Sequence, residues 1–263
     1  MSEEKKPVNS VDKKVEEKEE NSFATEVNLP SKGKFYENGT PSRVTLRPIT
    51  VKEEKLLMGK GNRMALADKI LAKCITSECI PLKNLLMTDK FFLLLNLRAV
   101  SYGSEYSFSM KCSDCDFEFK HTINLPTGLQ LKVASKDDTE PFDVKLPVCG
   151  KTASLRFLRG YDEEEIENYI RTLPDAGAEE GDPGYVFRMG RFIDKIDGKE
   201  IDVLEKLSFC ENLTGRDSLA IRQAIAKHET GAILSIKTKC PSCQAEIKST
   251  LPLTSEFFPS GVA

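Results

Sequence analysis

The chain has 263 residues, of which 40% are hydrophobic and 30% are charged, and its net charge at pH 7 is -3. This length allows one sizeable domain or two small ones, and the composition is typical of a soluble globular protein. The slight negative charge argues against a general attraction to nucleic-acid phosphates or anionic membranes. No apolar run is long enough to span a membrane, and the amino terminus has no apolar signal core, so we expect a cytoplasmic protein.

The first part of the chain, residues 1–22, is rich in charge. Its first twenty residues include seven acidic and five basic side chains and few aliphatic ones. Such a segment buries too little apolar surface to offset the entropy lost on ordering, so we predict a disordered tail. A marginal helix over Lys13–Glu20 is the less favoured alternative.

Ordered structure is predicted from Phe23 onward, beginning with short strands and a capped helix. Thr50 has the pattern of an N-cap, with Glu53 three residues later completing a capping box. The glycines of residues 59–62 then break the helix. A helix-to-helix turn explains them better than a phosphate loop, because the Walker spacing and a preceding strand are missing. The predicted elements are strands at 24–29 and 44–47, a helix to Met58 and a second helix over 66–75.

A longer helix follows, and almost all of its faces are apolar. Thr88 is predicted as its cap and Gly103 as its stop, and Phe91 to Leu97 supply the apolar side chains. This pattern predicts a helix buried on most sides. Alternation of Tyr106, Phe108 and Met110, and later of Phe117 and Phe119, predicts a β-hairpin around the intervening cysteines.

The second part of the chain is predicted to repeat this kind of organisation after a linker over 126–141. Acidic residues 162–165 suit the positive end of a helix better than a catalytic carboxylate site. Residues 174–184, with two prolines and three glycines, predict a mobile loop. The other predicted elements are strands at 142–146 and 153–158, helices at 162–173, 185–196 and 203–212, a turn at 197–198, a helix from Thr214 or Asp217 to a stop at Gly231, and strands at 233–236 and 247–251.

Two cysteine pairs carry the strongest chemical signal, Cys112-Ser-Asp-Cys115 and Cys240-Pro-Ser-Cys243. The spacing within each pair lets one tight turn direct two thiolates at one ion, and two such turns supply a closed tetrahedral site. Zinc is the favoured ion, although four thiolates also suit iron. The alternative is four unligated buried cysteines, which would make the matched spacing accidental.

Other cysteines and turn positions are less informative. Asp116 and Gln244 stand where such turns often have glycine, which leaves the turn geometry open. Core packing is favoured over a second metal site for Cys74 and Cys79. No role is assigned to Cys149 or Cys210.

The cysteine pairs lie in two similar segments. Placing Asp89 on Asp217 aligns the segments without a gap at a spacing of 128 residues. This similarity predicts a duplication. The matched residues are Gly103 and Gly231, Ser107 and Ser235, Lys111 and Lys239, Glu118 and Glu246, Lys120 and Lys248, Thr122 and Thr250, Leu125 and Leu253, with weaker similarity between 29–34 and 146–151 and between 44–47 and 153–156.

The predicted fold class is therefore α+β with two homologous halves. Each half has short strands, a helical part and a β-hairpin tipped by a cysteine pair, and one zinc-ribbon-like site of four cysteines joins the halves. The predicted boundaries are a tail at 1–22, a first repeat at 23–128, a linker at 129–145 and a second repeat at 146–263.

Catalysis is not predicted. The two histidines, His121 and His228, have no nearby serine, cysteine or paired acid in the sequence. The predicted metal site has no open position for a water or a substrate, and no nucleotide or cofactor motif is present. The sequence therefore favours a binding or structural protein over an enzyme.

Three sequence segments of the first half resemble those of one known family. They are Leu29-Pro-Ser-Lys-Gly-Lys-Phe-Tyr36, the run from Val44 to Leu57, and Leu97-Arg with Ser101-Tyr-Gly103 before the first cysteine pair. This combination resembles the T4-type baseplate hub family of contractile-tailed phages. The resemblance is good over about residues 23–125 and looser over the second half.

The resemblance implies a late phage protein that helps to assemble the central hub of the tail baseplate through contacts with other hub or tail proteins. It implies host cytoplasm during assembly, and it leaves open whether the protein stays in the virion or leaves as a chaperone. The alternative is a zinc-ribbon regulator that binds nucleic acid. It is less favoured because the lysines of both hairpins (Lys111, Lys120, Lys237, Lys239, Lys248) are accompanied by acidic residues (Asp114, Asp116, Glu118, Glu246).

Overall fold

A computed structural model of the chain describes residues 23–36, 42–57, 63–77, 81–173, 181–252 and 257–258. The predicted tail at 1–22 and the predicted turn at 59–62 lie outside these residues. So do Cys79 and residues 174–180 of the predicted loop.

The described residues form a mixed α/β fold of seven α-helices and twelve short strands, in which every strand pairing is antiparallel. The helices are α1 (Val51–Leu57), α2 (Arg63–Cys74), α3 (Met87–Tyr102), α4 (Gly160–Thr172), α5 (Tyr185–Phe192), α6 (Val203–Glu211) and α7 (Gly215–His228), with a 3-10 turn at Leu82–Asn84. The strands are β1 (Thr25–Asn28), β2 (Arg43–Leu46), β3 (Glu105–Lys111), β4 (Glu118–Asn124), β5 (Gln130–Lys132), β6 (Phe142–Lys145), β7 (Thr152–Leu155), β8 (Ile193–Ile196), β9 (Lys199–Glu200), β10 (Gly231–Ile233), β11 (Ser235–Lys239) and β12 (Glu246–Thr250).

The strands form small sheets. One sheet has four strands in the order β6-β7-β8-β9, and the other pairs are β1 with β2, β3 with β4, β5 with β10, and β11 with β12. Two-stranded sheets have little stability of their own, so each must cover one face with other elements.

Glu53 fixes the start of α1 through half of the predicted capping box and through an arginine; the N–H of Glu53 donates to the carbonyl of Thr50 at 2.9 Å, and the hydroxyl of Thr50 donates to the Glu53 carboxylate. Glu53 accepts a hydrogen bond from the backbone N–H of Thr50 at 3.0 Å, and its carboxylate also receives both terminal nitrogens of Arg47 at 3.2 and 3.3 Å. Burial alone would raise the pKa of Glu53, but the hydrogen bonds from Arg47 and Thr50 lower it from 4.5 to about 2. The carboxylate therefore ties the end of β2 to the first turn of α1.

The same arrangement occurs at the start of α4. Arg156 directs both terminal nitrogens at Asp162, and the N–H of Arg159 donates to the same carboxylate at 2.8 Å. Asp162 is fully buried and also forms an ion pair with Arg191. Burial disfavours its charge, but the hydrogen bonds from Arg156 outweigh that effect and lower the pKa of Asp162.

Helix α3 confirms the prediction of a long buried helix that stops at Gly103, whose φ is 88°. The predicted cap was wrong: Leu86 is the N-cap residue, and Thr88 lies inside the first turn. Thr88 instead packs against the backbone of Gly231, where an added Cβ would lie 2.9 Å from the Thr88 Cβ. Tertiary packing, and not capping, therefore accounts for this threonine.

Other predictions need correction in the second part of the chain. The helix predicted over 185–196 ends at Phe192, because residues 193–196 form β8 and pair with β7. Helix α7 ends at His228, and the predicted stop at Gly231 is the first residue of β10. The stretch predicted as a linker at 126–141 contains β5, which pairs with β10.

The fold has two apolar cores, and each contains residues from both the early and the late part of the chain. The first surrounds α2 and α3 and includes the late residues Ile236 and Ile247. The second surrounds the four-stranded sheet and α7 and includes the early residues Phe35 and Leu86. Neither part therefore completes its core without the other.

A close backbone contact between the two parts lies at the start of α4. The N–H of Gly160 donates to the carbonyl of Leu85 at 3.0 Å, and the N–H of Met87 donates to the carbonyl of Leu158 at 2.9 Å. A Cβ at position 160 would lie 2.5 Å from the Leu82 carbonyl oxygen. The buried Lys90 adds ion pairs to Asp68 at 2.9 Å and to Glu163.

The Glu53→Gln variant tests the cap of α1. A folded-state pKa below the ordinary value means that the stability supplied by Glu53 is complete above pH 4.5 and is lost as the pH falls toward 2. We expect the variant to lose on the order of 3 kcal/mol of unfolding free energy near neutral pH, and the difference from wild type to shrink by about pH 3. Urea unfolding at several pH values measures the loss of unfolding free energy and its dependence on pH. Glu26→Gln, which removes the exposed pair with Arg43, is the control, and an unchanged difference at low pH would contradict the assignment.

The Gly160→Ala variant tests the contact between the two parts. The added methyl group collides with backbone, so we expect a loss of about 1–3 kcal/mol in thermal or urea unfolding. Gly215→Ala is a matched control, because Gly215 is also the first residue of a helix and has no atom within 4 Å of an added Cβ. Equal unfolding free energies of the two variants would show that the close approach at Gly160 does not contribute to stability.

Candidate metal centre

Hairpin β3–β4 holds the first cysteine pair at its tip. Seven residue pairs connect the strands, from Glu105 opposite Asn124 to Lys111 opposite Glu118. Residues 106, 108 and 110 alternate into the core and are buried, which confirms the predicted alternation. The backbone then turns at Cys112 with the sheet register already fixed.

Hairpin β11–β12 holds the second pair in the same way. Its ladder runs from Ser235 opposite Thr250 to Lys239 opposite Glu246. Ile236 and Ile247 face the core that surrounds α3. The shorter ladder leaves residues 231–233 free to pair with β5.

The two cysteine turns have nearly identical backbone geometry. In the first turn the N–H of Cys112 donates to the carbonyl of Phe117 at 3.0 Å, and the N–H of Asp116 donates back to the carbonyl of Cys112 at 3.0 Å. In the second turn the N–H of Cys240 donates to the carbonyl of Ala245 at 2.9 Å, with Gln244 as the second donor at 3.0 Å. Each turn therefore closes with the same pair of hydrogen bonds.

The position after the second cysteine has a left-handed backbone in both turns. The φ of Asp116 is 58° and that of Gln244 is 63°. Glycine is common at such a position because it adopts positive φ without steric cost, and aspartate tolerates it better than glutamine. Both turns therefore adopt the same left-handed conformation without glycine.

The turns bring four sulfur atoms together. The Sγ atoms of Cys112, Cys115, Cys240 and Cys243 all lie within 4.8 Å of one another. The Sγ atoms of Cys112 and Cys243 are 3.7 Å apart, and so are those of Cys115 and Cys240. A tetrahedral ion with metal–sulfur bonds of about 2.3 Å needs sulfur atoms about 3.8 Å apart, so the cluster has the right size.

Burial divides each cysteine pair. Cys112 and Cys240, the first residues of their turns, are 1% and 0% exposed and belong to the core. Cys115 and Cys243 are exposed. The cluster thus joins the core on one side and reaches the surface on the other.

The local electrostatics favour one thiolate but oppose several. Backbone N–H groups of Cys243 and Ser242 lower the pKa of Cys240 to about 7. The backbone N–H of Ala245 lowers the pKa of Cys243, but the neighbouring thiols, led by Cys115, raise it more, to about 12. Four thiolates so close together need a cation to offset their repulsion, and the soft sulfur donor set suits zinc or iron.

The other cysteines of the described ranges and both histidines lie apart from the cluster. Cys74 and Cys210 are buried, and burial raises their pKa values to about 11 and about 12, while Cys149 is exposed. His121 packs edge-on against Phe108, and His228 stacks on Phe142. Among the described residues, the four cysteines are the group of ligand side chains close enough together to share an ion.

Sequence reasoning missed residues that fix the hairpins in place. The hydroxyl of Tyr106 donates to the carbonyl of Pro252 at 2.8 Å, and its ring contacts Phe257. This contact ties β3 to the end of β12. The alternation of β3 predicted that Tyr106 is buried, but no local signal indicated a partner 146 residues away.

A scan against family models matches residues 21–259 to the family described as T4 bacteriophage base plate protein. The chain belongs to this family. The match confirms the resemblance and extends it over the second half. Searches of curated proteins and of solved structures found no match.

Membership gives this baseplate-family protein a structural place in the phage baseplate and associates it with the virion tail and with other tail or baseplate proteins. None of the helices in the described ranges has the length and apolarity to cross a membrane.

Metal analysis of the purified protein tests the cysteine cluster. We expect one zinc ion per chain, because the four sulfurs form one tetrahedron. Cys112→Ser and Cys240→Ser should lose the ion and unfold at lower temperature. The control Cys149→Ser, at an exposed cysteine outside the cluster, should keep the ion and the wild-type unfolding temperature. Two ions per chain, stoichiometric iron, or full zinc retention in Cys112→Ser would each contradict the assignment.

Proposed function

We propose that this baseplate-family protein is a non-enzymatic component of the central hub of the phage tail baseplate, stapled by one structural zinc. The observation that carries the proposal is the meeting of two cysteine pairs, 125 residues apart at the closest, in a chain of the baseplate family. Its partners are other hub and tail proteins, which it contacts through its surface.

Zinc acts as a staple in this proposal. Cys112, Cys115, Cys240 and Cys243 would be its ligands, and four protein ligands leave no position for water or substrate. Structural zinc in small peptides contributes about 10–16 kcal/mol of apparent free energy, which exceeds the stability of a typical domain. The ion would hold the late hairpin on the early core.

Duplication explains why the early and late parts of the chain build one site. The arginine and carboxylate of the α1 start, Arg47 and Glu53, have the same six-residue separation as Arg156 and Asp162. Two buried aspartates of the long helices also correspond: Asp89 accepts from the N–H of Ser31 at 3.1 Å, and Asp217 accepts from the N–H of Val148 at 2.8 Å. Both donors follow a Leu-Pro pair. These matched contacts support two homologous halves, with domain boundaries near 23–128 and 146–263.

The closed character of the site supports a role without catalysis. Its two exposed sulfurs, Cys115 and Cys243, would both be metal ligands and so would not be free nucleophiles. The titratable residues with large contact networks, such as Asp162 and Lys90, bind partners within the fold. The zinc and the ion pairs thus serve to hold the fold together.

Quantitative mass spectrometry of purified phage particles tests the hub role. We expect a small, fixed copy number per tail, because a structural component is bound stoichiometrically. Major tail proteins of the same particles provide the reference. Absence from particles, with abundance in infected cells, would instead make the protein an assembly chaperone.

A further inference from the structure

The two cysteine hairpins have the same backbone but opposite charge. Residues 105–124 contain four acidic and two basic side chains, a net of -2. The corresponding residues 233–252 contain one acidic and three basic side chains, a net of +2. Two hairpins with one geometry therefore present complementary electrostatic surfaces beside one metal centre.

The positive surface, called here the lysine face, consists of Lys237, Lys239 and Lys248. Lys237 and Lys248 are directly opposite each other in the β11–β12 ladder, and all three are exposed. Residues directly opposite in an antiparallel ladder share a side of the sheet, so two positive charges stand side by side. Glu246 is opposite Lys239 on the same side of the ladder, which leaves a net positive charge there, and no ion pair within the described ranges joins any of the three lysines to a carboxylate.

Like charges in this position destabilise a hairpin, and the first hairpin avoids them. At the matching positions Ser109 is opposite Lys120. Lys111, the counterpart of Lys239, forms an ion pair with Asp116 at 2.9 Å, whereas the counterpart of Asp116 is the neutral Gln244. The second hairpin thus differs from the first in the direction that concentrates positive charge.

The negative surface, called here the acidic knuckle, consists of Asp114, Asp116, Phe117 and Glu118 at the tip of the first hairpin. All four are exposed, and Phe117 retains 45% of its surface although it stacks on Phe119. An exposed aromatic ring surrounded by carboxylates fits a lysine-rich surface, because it contacts the apolar stems and attracts the ammonium groups. The corresponding position in the second hairpin is Ala245.

We propose that the lysine face of one copy of the protein binds the acidic knuckle of a second copy. The contact joins different surfaces of identical chains, so it continues head to tail and closes into a ring or extends as a column. The acidic knuckle adds the exposed ring of Phe117 to its carboxylates, so it can contact the apolar stems of the lysines as well as their charges, and this match favours the second copy. This inference goes beyond the proposed hub function and does not depend on the identity of the metal.

Sedimentation velocity of the full chain at low and high salt tests the proposal. At low ionic strength the weight-average mass should rise from 29.4 kDa to roughly twice that value or more. At about 0.5 M salt it should return to the monomer, because exposed charges are screened. Lys237→Glu combined with Lys248→Glu should stay monomeric at low salt, and so should Asp114→Lys combined with Glu118→Lys.

An equimolar mixture of the two double variants provides the decisive measurement. Each variant alone brings like charges together, but each contact between the two different variants joins opposite charges, so association should reappear in the mixture. Lys52→Glu combined with Lys55→Glu, an equal charge change on exposed residues of α1, should associate like wild type. Zinc content measured for every variant separates loss of docking from loss of the metal centre.

Three results would overturn the proposal. They are a wild-type protein that stays monomeric at low salt, association that persists in the lysine double variant, and a mixture that remains monomeric while both variants retain the metal. A monomeric wild type that retains duplex DNA at low salt, with retention lost in the lysine double variant, would assign the lysine face to nucleic acid instead.

Discussion

The structure depends on the burial of two short hairpins that are too small to be stable alone. Each has one apolar side, formed by Tyr106, Phe108 and Met110 in the first hairpin and by Ile236 and Ile247 in the second. A two-stranded ribbon needs such a side to be covered, and both find cover in the core around α3. The four sulfurs meet because the hairpins share this core. The apolar contact and the proposed metal therefore act on the same interface.

The two parts of the chain use related structure in different ways. Gly160 and Val51 both begin a helix after an arginine-anchored strand, but only the glycine allows the close backbone approach to Leu82. A side chain of valine size at position 160 would prevent the contact. The interface between the parts is therefore made by the start of α4, at Gly160, and not by the start of α1, where Val51 is exposed.

The buried charges serve the same purpose as the hairpin contacts. Lys90 is almost fully buried and reaches Asp68 in α2 and Glu163 in α4, so one side chain connects three helices. Burying an ammonium group is costly unless it is paired, and the two carboxylates supply that compensation. Asp162 has the converse role, a buried carboxylate surrounded by Arg156 and Arg191. These contacts favour one relative arrangement of the helices over others of similar apolar burial.

The sequence by itself determined the features that depend on neighbouring residues. The cysteine spacing, the alternation in β3, the apolar α3 and the stop at Gly103 are local patterns, and the structure follows them. The order of the strands and the ends of several helices depended on distant partners. Ile193 continues an apolar helical pattern but belongs to β8, because β7 offers it hydrogen bonds. Thr88 has the chemistry of a cap but packs on Gly231. Only the tertiary structure decided that four cysteines meet at tetrahedral distances, because the sequence fixes two turns but not the core that brings them together.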